Sequence, residues 1–189
     1  MPRWKPDAAE RLETAALELF GEQGFERTTI AEIAARAGLT QRTFFNHFAD
    51  KREVLFRMGA DLQRAIVTEI GAGSDDLPAL DAVVRAMGVV ADEMLEVRRD
   101  TAKRRYSVIA ANQELLEREL GKNAALTEAI ADALHSRGCD PESAFITAAA
   151  AMLAQQTALR TWTRPGETRT LRDLLQQAVR ALRTTVGTS

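Results

Sequence analysis

The side chains with most to offer chemically crowd into one short stretch of this chain: Gln41, Arg42, Thr43, Asn46 and His47. An amide such as Gln41 carries the donor and acceptor that match N6 and N7 of adenine. A guanidinium such as Arg42 carries the paired donors that match O6 and N7 of guanine. Thr43, Asn46 and His47 add hydroxyl, amide and imidazole groups able to hydrogen-bond bases and phosphates. Phe44 and Phe48 stand four residues apart, so on a helix they share a face, and the polar groups fall on the opposite one. The pattern predicts a short helix with an aromatic back and a polar front.

Other chemistries find no support in the residue pattern. The two histidines, His47 and His135, lie far apart in sequence without partner ligands at metal-binding spacing. There is no Ser-His-Asp set, no glycine-rich phosphate loop and no metal cluster. The expectation is a protein that is not an enzyme and needs no cofactor or metal.

The elements that must position this helix are legible around it. Asp7 opens a helical pattern in which Ala8, Leu12, Ala15, Ala16, Leu19 and Phe20 form one apolar stripe. Gly21 and Gly24 mark its end, and Phe25 follows as a core anchor. Thr29-Ile30-Ala31-Glu32 reads as a capping box opening a second, short helix that buries Ile30, Ile33, Ala34 and Ala37. Gly38 stops it and Thr40 caps the polar-fronted third helix, which makes a helix-turn-helix. A second capping box, Asp50-Lys51-Arg52-Glu53, is expected to start one long helix from Lys51 to about Ile70, roughly 30 Å in length.

Residues Thr28 to Lys51, with Thr-Ile-Ala-Glu-Ile-Ala, Ala-Gly-Leu-Thr and Thr-Phe-Phe-Asn-His-Phe before Lys51, resemble the DNA-binding segment of the TetR family of transcriptional regulators. That family reads T-x-x-x-I-A-x-x-A-G-V-S-x-x-T-L-Y-x-H-F-x-x-K. The resemblance implies a helix-turn-helix repressor that binds a double-stranded operator as a homodimer and releases it on binding a small apolar or amphipathic effector. It implies base reading by Gln41 and Arg42, and a phosphate or thymine-methyl contact by Thr43. It also implies phosphate contacts by His47, Lys51 and the helix N-terminus at Thr29, with Asn46 in the same DNA-facing set. One position departs from the family: Phe45 stands where tyrosine is usual. It keeps the ring and loses the hydroxyl donor, so packing against sugar or into the domain is expected, with less affinity for phosphate. Phe44-Phe45-Asn46-His47-Phe48, together with Arg98 to Glu119, is similar to the branch that contains the mycofactocin-system regulator.

The rest of the chain suits such a reading. Of 189 residues, 46% are hydrophobic, enough for a substantial core, and the net charge of −2 does not itself point to nucleic acid. One cysteine, Cys139, excludes an intramolecular disulfide, the start lacks a signal-peptide apolar segment, and no run of 18 apolar residues occurs. A cytoplasmic, non-membrane protein is expected. About nine helices and no strand are read along the chain, an all-α fold with residues 1–51 as head and 52–189 as a larger ligand-binding and dimerisation domain. Residues 1–6 read as a flexible arm whose charges are Arg3 and Lys5, and Gly71 to Asp76 as a linker. Asn112 is expected to cap a helix, and Asp140-Pro141 to open another.

By family likeness, 141–162 and 168–186 form the dimer interface, and the small Ala148–Ala151 run permits close helix approach. Candidate pocket residues are Met87, Met94, Tyr106, Asn123, Gln155, Thr157, Leu159 and Trp162. Met87 and Met94 serve equally as core filler. An inward-facing Gln155 would need a partner, such as a ligand. The basic stretch Arg98–Arg105 is either a solvated face or a site for an anionic effector such as an acyl-CoA, which the branch likeness implies.

Overall fold

The computed structural model describes residues 7–74 and 76–187; the arm with Arg3 and Lys5, and Asp75 of the linker, lie outside the described residues. The chain is helical throughout, with no strand among the described residues. No helix there is long and apolar enough to cross a membrane. It divides into two compact units, one of residues 1–58 with 100–118, the other of 59–99 with 119–189.

The first unit is built on three helices, α1 (Ala8–Gln23), α2 (Ile30–Arg36) and α3 (Gln41–His47). Each begins on a side-chain cap. Asp7 accepts from the Glu10 amide at 2.7 Å, Thr29 and Glu32 exchange the reciprocal bonds of a capping box, and Thr40 accepts from the Thr43 amide. The core gathers Leu12, Phe20, Phe25, Ile33, Phe44 and Phe48 with Val54, Leu55 and Phe56. Val108, Ile109 and Leu115 complete it. Full burial of one such side chain contributes roughly 1.5–3 kcal/mol.

The single long helix expected from Lys51 to Ile70 is two: α4 (Glu53–Phe56) and α5 (Gly59–Ala72), separated by a turn at Arg57 and Met58. The cause is tertiary. Val54, Leu55 and Phe56 are all buried, although no straight helix presents three consecutive residues to one side. The Leu55 carbonyl accepts from Nε of Arg105, and Arg57 turns back to lie 3.5 Å from the buried carboxylate of Glu13. Asp50 does cap α4, accepting from the amides of Arg52 and Glu53, but the Glu53 carboxylate pairs with Arg118 and does not close a box.

In the second unit α6 (Ala79–Val90) runs into a π-turn, Ala91–Leu95, and a 3₁₀ turn, Glu96–Arg98; α7 (Arg99–Ala110), which follows, belongs to the first unit from residue 100 on. Glu96 is the pin at this irregularity. One oxygen accepts from Nε1 of Trp162 at 2.9 Å and from the Leu171 amide at 2.7 Å, and the other pairs with Arg99. α8 (Gln113–Ser136) does not start on an Asn112 side-chain cap as expected. The Asn112 amide donates backwards to the Val108 carbonyl, closing the end of α7. α9 (Pro141–Trp162) opens on Asp140 with Pro141 in its first turn, and α10 (Leu171–Val186) opens on Thr170; these two helices pack on each other.

Candidate nucleic-acid interface

The third helix has the two faces its residue pattern predicts. Phe44 is fully buried and Phe48 nearly so, with ring centroids 5.5 Å apart. Gln41, Arg42, Asn46 and His47 are exposed, and Thr43 is half-buried with its hydroxyl 2.9 Å from that of Thr40. Phe45 does not pack into the domain. It is 54% exposed, sits on the polar front one turn after Gln41, and touches Phe44 edge-on at 5.7 Å.

Two basic side chains fix the angle at which this helix is held. Gly38 ends α2 at φ 65, a left-handed conformation that glycine adopts without steric cost. The amides of Gly38 and Leu39 then return to the carbonyls of Ala35 and Ala34, a Schellman closure. Arg11 of α1 donates to the carbonyls of Ala37 and Gly38, satisfying groups that a short helix leaves open.

The second is Lys51. Its ammonium donates to the carbonyls of Phe25 at 2.8 Å, Glu26 at 3.1 Å and Thr28 at 3.1 Å, and lies 4.4 Å from the centre of the Phe25 ring. Three bonds use all three ammonium protons. In this geometry Lys51, for which a phosphate contact is implied, holds the α1–α2 connection with its ammonium on three protein carbonyls.

Residues 1–58 contain as many acidic as basic side chains, nine of each. Most described cations here are occupied: Arg36 by Glu18 and Glu22, Arg52 by Asp50 and Glu114, Arg57 by Glu13, and Arg11 and Lys51 by carbonyls. Arg42 is exposed with no ion pair among the described residues. Arg27, exposed one residue before Thr28, donates only Nε among the described residues, to the Gln23 carbonyl at 2.7 Å. Sequence reasoning passed over Arg27, because a lone arginine in a loop carries no periodic signal. At Thr29 the capping box already engages the hydroxyl and amide with the Glu32 carboxylate, both at 2.8 Å. Those bonds hold the Glu32 pKa below the usual carboxylate value.

The expected ligand residues divide between the two units. Tyr106 belongs to the unit of the head, with the Arg105 guanidinium 4.9 Å from its ring; the others belong to the second unit. Trp162 is fully buried with its N–H bonded to Glu96, so it is a core post and not a cavity wall. Met87 is buried; Met94, Asn123 and Leu159 are half-buried; Thr157 is exposed. Gln155 is half-buried and its side-chain carbonyl oxygen is buried without a hydrogen-bond partner among the described residues. The basic stretch is largely engaged with protein groups: Arg99 with Glu96 and the carbonyls of Glu167 and Arg169, and Arg105 with the Leu55 carbonyl. A cavity of about 270 Å³ between α6 and α10 is lined by Asp81, Arg85, Arg172, Gln176, Arg180 and Arg183, together with Val84 and Val179. None of the expected pocket residues lines it.

A three-helix head with a polar-fronted, aromatic-backed third helix, joined to a larger all-helical unit, defines the class of helix-turn-helix transcriptional regulators. Residues 13–58 match the family of bacterial regulatory proteins of the tetR type, and residues 77–187 match the MftR C-terminal domain. The chain belongs to the TetR family, a family of regulators and not of enzymes. It is 38% identical over 91 residues to the HTH-type transcriptional regulator TcmR of Streptomyces glaucescens, covering 46% of this chain and 40% of that one. It is 31% identical over 90 residues to the HTH-type transcriptional regulator Mb2274c of Mycobacterium bovis, covering 48% and 46%. The chain thus spans about half the length of the curated relatives it matches. In fold it is similar to a TetR-family regulator of Syntrophomonas wolfei (TM-score 0.68, 18% identity, 96% and 95% covered). It is also similar to Thermus thermophilus FadR in complex with lauroyl-CoA (TM-score 0.53, 24% identity, 92% of each covered).

Proposed function

We propose that this chain is a ligand-responsive repressor that binds a double-stranded operator as a homodimer in the cytoplasm, with residues 1–51 reading DNA and 52–189 binding effector and partner. The observation that carries the reading is the exposed row Gln41, Arg42, Phe45, Asn46 and His47 backed by buried Phe44 and Phe48. Gln41 and Arg42 read base edges. Thr43 and His47 contact backbone phosphate, as do the amides at the start of α2 beside Thr29, and Asn46 lies in the same DNA-facing row. Phe45 meets sugar or a thymine methyl.

The dimer reading is supported by α9, where Phe145, Ile146 and Leu153 are exposed at 47%, 60% and 56% on a helix whose other face is packed. A row of large apolar groups facing water marks an interaction surface. A second copy applying the same α9 and α10 surface would cover it.

The effector is a small apolar or amphipathic molecule bound within the second unit. Its support is the unpartnered carbonyl of Gln155, which a ligand donor would satisfy, and the family's C-terminal domain. Lauroyl-CoA in the Thermus protein gives an example from the same fold, and an acyl-CoA-like effector is the corresponding proposal here. Two recognition helices about 34–36 Å apart fit successive major grooves, and an effector that prefers another spacing weakens operator binding. The head's unit includes residues 100–118. Their Arg105, Glu114 and Arg118 engage Leu55, Arg52 and Glu53.

The test is selection of duplexes from a random library followed by binding measurements. A twofold-symmetric site is expected, with Arg42→Ala costing about 1–3 kcal/mol at one base position of each half-site. Absence of salt-sensitive binding to any duplex would sink the proposal.

A further inference from the structure

Two cations of the head, Arg27 and Lys51, meet at the loop before α2. The three carbonyls engaged by Lys51 belong to Phe25, Glu26 and Thr28, so they bracket residue 27 on both sides. Arg27 itself is exposed, donates Nε to the carbonyl of Gln23 at 2.7 Å, and leaves both terminal amino groups without a partner among the described residues. Thr28, next along, is buried and its hydroxyl donates to the Gly24 carbonyl at 2.8 Å, which pins the loop from the other side. Thr29 then opens α2. A guanidinium with one N–H anchored and two free NH₂ groups is suited to bidentate capture of a phosphate.

We infer that Arg27 adds a phosphate contact from the loop before α2, and that Lys51 is a positioning residue that holds the loop carrying it. The inference rests on the DNA-binding reading above. It has a specific consequence for salt dependence, because the slope of log affinity against log salt counts the phosphates neutralised. Arg27 contributes to that count. On this assignment Lys51 does not, its three ammonium donors being held by protein carbonyls. Without the Lys51 clamp the loop is ordered only on binding, so affinity falls while the phosphate count stays the same.

The experiment is a salt series of operator binding by the full chain. Wild type, Arg27→Ala, Lys51→Met and Lys51→Arg are compared on the selected duplex. Arg27→Ala is expected to flatten the slope by about 2 for a dimer carrying two such residues. Lys51→Met and Lys51→Arg are expected to bind about tenfold more weakly at the wild-type slope, with faster amide hydrogen exchange at residues 25–29. A planar guanidinium cannot converge on three carbonyls as an ammonium does, so retaining the charge gives no rescue. If Lys51→Met does not fold, Lys51→Arg decides: wild-type affinity in that variant overturns the assignment. A slope flattened by Lys51→Met, or left unchanged by Arg27→Ala, overturns it too. A wild-type chain that binds no duplex removes the parent reading itself, an outcome distinct from any change among the variants.

Discussion

Arg11 of the first helix donates through Nη2 to the carbonyl of Ala37, the residue that ends the second helix. The same nitrogen lies 3.4 Å from the carbonyl of Gly38. One side chain thus ties α1 to the turn that sets the direction of α3. The exposed polar row on α3 inherits its aim from a contact 26 residues back in the chain.

Loss of this tie is expected to loosen the turn before it unfolds the head. Arg11→Met keeps an apolar stem and removes a charge-assisted bond of roughly 1.5–3 kcal/mol. Gly38→Ala acts on the same turn: φ is 65, and an added Cβ would lie 3.1 Å from the Arg11 guanidinium. It is expected to cost about 1–2 kcal/mol from the left-handed backbone alone. Denaturant unfolding measures both, and wild-type stability in Gly38→Ala would contradict the argument.

The α2 cap predicts an acid-sensitive head. Bonds from the amide and hydroxyl of Thr29 hold Glu32 below its ordinary value of 4.5 in the folded chain. A depressed carboxylate contributes stability that is fully present above the unfolded value and is lost as pH falls through the folded one. Glu32→Ala is therefore expected to melt below wild type at neutral pH. The two melting temperatures should converge as pH falls below the ordinary value of 4.5 and through the lowered folded one. A gap that stays constant to low pH would show that the Glu32 charge does not matter.

In the second unit, Glu96 is the residue whose loss is expected to matter most. Its carboxylate serves the Trp162 indole, the Leu171 amide and the Arg99 guanidinium. Glu96→Ala leaves two donors without an acceptor in a partly buried site, at a cost of about 2–4 kcal/mol. Glu96→Gln retains an acceptor oxygen and should recover part of that loss. Thermal unfolding checks the order: wild type most stable, then Gln, then Ala.

The features legible in the sequence are those built from neighbours. Thr29 and Glu32 are three residues apart, Phe44 and Phe48 four, and Gly38 lies within its own turn; helix periodicity and capping chemistry operate over that range. The helix-turn-helix and the exposed row on α3 could therefore be read from residue order alone. Where the long side chains go was decided by the tertiary structure. Lys51 reaches carbonyls 23 to 26 residues away, Trp162 finds Glu96, Arg105 takes the Leu55 carbonyl beside the break between α4 and α5, and Asn112 turns back to Val108. A lysine or arginine four or more bonds long covers many candidate acceptors. Which one it bonds depends on where packing of the apolar faces leaves an unpaired carbonyl, and a one-dimensional pattern does not contain that information.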